Sequence, residues 1–142
     1  MEILKPLAVL AGWTMIMFVW MYATRIPAIN KLPKPTEPGA DQGWTGAMLE
    51  NLIPREVQWK AHNYNHLHEA PTVFYAVALA LAVLGQDDGL NAQLAWTYVG
   101  LRIVHSIWQS TVNKVAVRFL LFSLSSLCLI ALSVRLLMAV FN

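Results

Sequence analysis

The chain has 142 residues, 57% of them hydrophobic and only 13% charged, with a formal net charge of +2 and a mean hydropathy of +0.49. Soluble domains carry about 25% charged residues, and several apolar runs here approach the ~20 residues that cross a bilayer. These values exclude an ordinary soluble domain, and the few scattered basic residues exclude a nucleic-acid surface. They predict a single-domain, all-α polytopic membrane protein whose first partner is the lipid bilayer.

The first apolar run covers 6–24, between Lys5 and Arg25. It is longer than a ~7–15-residue signal-peptide core, Glu2 precedes it, and Trp20, Met21 and Tyr22 leave no small-residue cleavage site, so it reads as a retained transmembrane helix over 6–25. Residues 26–54 hold Pro27, Pro33, Pro35, Pro38 and Pro54 with Gly39, Gly43 and Gly46, which predicts the main extramembrane loop. A short interfacial helix at 44–52 is compatible with that loop.

A second helix is expected over 56–84. Its polar first half carries Lys60, His62, Asn65, His66, His68 and Glu69 before the apolar run that starts at Val73. So dense a polar box at the mouth of a membrane-length helix must face a cavity, a partner helix or water. After the turn at 85–89, a third helix over 91–110 carries Arg102 and His105, and a fourth over 115–141 carries Arg118 near its start and Arg135 near its end. Asn113 is placed to cap that fourth helix. Cys128 is the only cysteine, so no intrachain disulfide forms; its ordinary role is that of a small buried hydrophobe.

Lys and Arg gather in the first and third loops and are absent from the second. The positive-inside rule then puts loops one and three in the cytoplasm and both termini on the other side. The polar box, Lys114 and Arg118 meet at the cytoplasmic end.

His62, His66 and Glu69 are spaced i, i+4, i+7 and share one helix face, while His68 points away from it. His-x-x-x-His is legitimate metal-ligand spacing, but only His105 remains outside the box as a further imidazole, so no metal is expected. Arg102 at membrane depth needs an inward partner, and Glu69 is the natural counter-charge, either as a structural ion pair or as part of a ligand contact. Arg118 at a helix start opposes the macrodipole and is better placed as an anion partner than as a cap. Arg135 reads as a snorkelling anchor. Together His62, Asn65, Glu69, Arg102, His105 and Arg118 describe a polar region suited to a small zwitterionic or anionic ligand.

Lys60-Ala61-His62 with Pro71 downstream, Gly100-x-Arg102-x-x-His105, and Arg118 at the start of the last helix resemble the signatures of the MAPEG family, the membrane-associated proteins of eicosanoid and glutathione metabolism, in a bacterial-type form. The resemblance covers nearly the whole chain. It implies a left-handed four-transmembrane-helix bundle, a homotrimer with sites between subunits, residence in a bacterial inner membrane, and glutathione as co-substrate for conjugation to a lipophilic electrophile. By the same resemblance Arg118 stabilises the thiolate, while Lys60, His62, Asn65, Glu69, Arg102 and His105 hold the tripeptide. Tyr64 stands at the family's asparagine position, Leu67 at its glutamate, Lys60 at its arginine, Gln109 where a tyrosine is frequent and Phe119 where a hydroxyl residue is common. Tyr64, Leu67 and Gln109 favour an alternative, a non-catalytic membrane subunit or scaffold in a larger membrane complex.

Overall fold

The computed structural model describes residues 1–33 and 45–142. Among these the chain is helical throughout: α1 (Leu4–Asn30), a 3₁₀ turn (Met48–Asn51), α2 (Arg55–His66), α3 (Ala70–Val83), α4 (Gly89–Thr111) and α5 (Val115–Phe141). Among the described residues three rods are long and apolar enough to cross a membrane: α1, α2 and α3 taken together as Arg55–Val83, and α5. The expected fourth span, α4, is absent from that group. It has the length, but Arg102, His105, Ser106, Gln109 and Ser110 are all buried on it. Its polar face looks into the protein.

α1 runs one turn past Pro27, beyond the expected end at 25. The short helix expected at 44–52 is limited to Met48–Asn51, and Trp44 at its start lies outside the described residues.

The larger difference concerns the second rod, expected as one helix over 56–84. It breaks at 67–69. Pro71 has no amide to donate to the Leu67 carbonyl, its ring crowds that carbonyl, and it disfavours helical backbone at Ala70. The chain answers with tighter bonds, from His68 N–H to the Asn65 carbonyl (3.0 Å) and from Glu69 N–H to the His66 carbonyl (3.2 Å), and it restarts with Pro71 in the first turn of α3.

α4 packs against α1, α2 and α5, and α3 reaches α5 and α1. Leu10, Met17, Phe74, Leu81, Tyr98 and Leu132 fill the core, with Phe74 stacked on Tyr98 at 4.6 Å between centroids. The outward faces of α1 and α5 show Ile16, Val19, Phe119, Leu127 and Ile130. In lipid such a surface is ordinary. α3 closes at Gly85, whose positive φ of 68° allows the paired bonds from Gly85 N–H to Ala82 and from Gln86 N–H to Leu81 that end many helices.

Candidate functional site

The break in the second rod builds the site. α2 ends at His66, where the regular helix would have used the His66 carbonyl for the amide of Ala70. That carbonyl instead accepts from Glu69 N–H and from Arg102 Nη2 at 3.1 Å. Arg102 is only 1% exposed, and its Cζ lies 5.8 Å from the centre of the Phe122 ring. A cation at the carbonyl end of α2 complements the helix dipole.

The expected Arg102–Glu69 pair does not form. The break carries Glu69 to the surface, 66% exposed, where its Oε2 lies 3.3 Å from His66 Nδ1. Arg102 stays inside with the backbone as its partner.

His66, His105 and Arg118 converge on one cleft of about 190 Å³ whose other walls are Val115, Phe119 and Phe122. The His66 and His105 rings are 6.3 Å apart, and His105 is 6.4 Å from Phe122. Arg118 Nη1 donates to Asn113 Oδ1 at 2.8 Å. Asn113 sits at the turn between α4 and α5 with φ 51°, a left-handed conformation that asparagine tolerates better than most residues. Its expected role as helix cap is not taken: α5 has no side-chain cap, and the Asn113 oxygen steers Arg118.

His62 and Asn65 belong to a second, more polar cleft of about 300 Å³, shared with Arg25, Glu50 and Gln58. His62 Nε2 meets Glu50 Oε1 at 2.8 Å. Gln58 is 5% exposed, and its Nε2 has no partner among the described residues. Lys60 reaches back to the Glu56 carbonyl (2.9 Å) and across to the Ser110 carbonyl (3.4 Å) at the end of α4, with Nζ 5.1 Å from the Trp20 ring. His68 points elsewhere, its Nδ1 against the Tyr64 carbonyl.

The seven site residues read from the sequence are therefore divided in the single chain, with Glu69 at the surface. His105 and Arg118 come together, His62 and Asn65 come together apart from them, Lys60 ties α2 to α4, and Arg102 lies beneath the surface. His66 was missing from the ligand set, although its spacing from His62 put it on the same face. Arg25 and Glu50 carried no local signal, because Arg25 near the end of α1 and Glu50 in the 3₁₀ turn meet α2 only in the folded chain.

A polar seam runs between α2 and α4. Asn63 Nδ2 donates to Ser106 Oγ at 2.5 Å, both residues fully buried. Nearby, Arg102 Nε and Nη1, His105 Nδ1, Gln109 Oε1 and Ser110 Oγ lack partners among the described residues. Buried polar atoms are nearly always satisfied, by internal water where protein groups fall short. The seam has the composition of a hydrated one. Among the described residues no three His, Cys, Asp or Glu side chains converge as metal ligands.

A helical bundle sheathed in apolar side chains, with three helical rods long and apolar enough to cross a membrane among the described residues, defines an integral membrane protein. The chain belongs to the MAPEG family, whose model matches residues 3–138. That membership makes it a membrane protein of the glutathione and eicosanoid metabolism type. No curated protein and no solved structure matches it with significant similarity.

Proposed function

We propose that the protein conjugates glutathione to a lipophilic electrophile, with the glutathione sulfur held at Arg118. The observation that carries this reading is the Arg118 cleft itself. A guanidinium steered by Asn113 and flanked by two imidazoles shares its space with Phe119 and Phe122, which are exposed on the apolar face of α5. A nearby cation lowers a thiol pKa and raises its thiolate fraction. The apolar wall gives a membrane-dissolved electrophile a lateral way in. The protein supplies no nucleophile of its own.

The second cleft suits the rest of a tripeptide: Arg25 for a carboxylate, Glu50 for an ammonium group, and Gln58, His62 and Asn65 for amides. In the homotrimer that family membership suggests, this cleft on one subunit and the Arg118 cleft on its neighbour would together form one site at the cytoplasmic end. Arg102, His105 and Glu69 then support the sulfur end.

The test is ultraviolet difference absorbance of the detergent-solubilised protein titrated with glutathione near neutral pH. A saturable thiolate band that disappears in Arg118→Ala supports the reading. Absence of the band together with absence of calorimetric binding refutes it. One observation favours the non-catalytic subunit instead: Arg102, expected to hold ligand, is buried and bonded to backbone, as a structural tie between helices would be. Native pull-down from the membrane would then recover a stoichiometric partner.

A further inference from the structure

We propose that His66 is the group that takes the thiol proton in the Arg118 cleft, with Glu69 and Arg102 as its positioning residues. The proposal rests on the glutathione reading above and adds what that reading lacks, a destination for the proton. Arg118 cannot be that destination, because a guanidinium stays protonated and has no lone pair to offer. Lys60 is turned to the Glu56 and Ser110 carbonyls. His105 shares the cleft but is 2% exposed and has no carboxylate beside it among the described residues.

His66 has the three attributes of a general base. Its ring lines the cleft beside Arg118, and its side chain is 38% exposed, so solvent can exchange its proton. Its Nδ1 lies 3.3 Å from Glu69 Oε2, an ion-pair contact whose negative charge favours a proton on the Nδ1 side and leaves the Nε2 lone pair towards the cleft free. Its backbone is fixed where Arg102 holds its carbonyl. The same carboxylate stabilises the imidazolium that forms, as the acid of a catalytic triad does. The charged and titratable groups facing His66 are Glu69 from the break, Arg102 and His105 from α4, and Arg118 from α5.

The step balances without a further reagent. The S–H bond breaks, the proton moves to His66 Nε2, and the pair stays on sulfur beside Arg118. With an alkyl or aryl halide as electrophile, the sulfur pair forms the S–C bond, the C–X bond breaks, and halide leaves with its electrons. The proton on His66 then passes to water.

The experiment is titration calorimetry of the intact detergent-solubilised protein with glutathione, in two buffers of different ionisation heat near neutral pH, beside the thiolate absorbance. The wild-type protein is expected to show the thiolate band with little proton release, because His66 keeps the proton. His66→Gln is expected to keep the band, which Arg118 supports, and to release a full proton to buffer; Glu69→Gln should fall between. Equal proton release by wild type and His66→Gln, with the band present in both, would overturn the proposal and leave the glutathione reading intact. No band and no binding heat in the wild type would remove both. Should His66→Gln not fold, imidazole nitrogen shifts of the wild-type protein decide the matter: His66 becomes doubly protonated on glutathione addition, or the proposal fails.

Discussion

Arg102 Nη2 donates to the carbonyl of His66 at 3.1 Å, so a buried cation from α4 caps the broken end of α2. This single bond joins the fold to the cleft, because His66 is both the last residue of α2 and a wall of the Arg118 site. Hydrogen bonds to charged groups contribute about 1.5–3 kcal/mol. Arg102→Ala is expected to lose about that much in thermal or denaturant unfolding of the detergent-solubilised protein. Arg102→Lys should recover only part, since an ammonium lacks the planar fork. A loss within ~0.5 kcal/mol, the usual scatter of surface substitutions, would show that the bond is not made.

Pro71 is the cause assigned to the break, so Pro71→Ala should remove it. The restored amide can donate to the Leu67 carbonyl, and α2 and α3 can fuse. Spin labels at Glu56 and Val83, both exposed, should then move apart towards roughly 40 Å, the length of 27 residues at about 1.5 Å each. An unchanged distance would assign the break to tertiary packing rather than to proline.

Asn113 is expected to have two separable roles. Asn113→Gly keeps the left-handed turn and loses the oxygen that steers Arg118. Its stability should stay near wild type while the thiolate band weakens. Asn113→Ala loses the oxygen and adds left-handed strain of about 1–2 kcal/mol, so both readouts fall. Equal behaviour of the two variants would contradict this division.

Packing inside the bundle should matter far more than the lipid-facing surface. Phe74 is fully buried and stacked on Tyr98, so Phe74→Ala should destabilise by about 3–5 kcal/mol. Val83 is 85% exposed, and Val83→Ala should change stability by no more than ~0.5 kcal/mol. Unfolding in the same detergent compares them directly.

The sequence by itself determined that the chain is all-helical and built on apolar runs. Apolar runs of membrane length, Gly85 at its turn and the polar residues of 56–69 follow from backbone and solvation rules that act locally. It also marked Arg118 and His105 as groups with no reason to face lipid. Only the tertiary structure decided who meets whom. Spacing reports an angle around one helix, but not how α4 and α5 are rotated against α2, and Pro71 resets that angle at 67–69. That reset moves Glu69 off the stripe, while within α2 different neighbours cover successive turns: His62 meets Glu50 in one cleft, and His66 lines the cleft of His105 and Arg118. Arg102 follows from the same cause. A broken helix leaves a carbonyl inside the protein and carries Glu69 outside, and a buried guanidinium bonds the acceptor that is within reach.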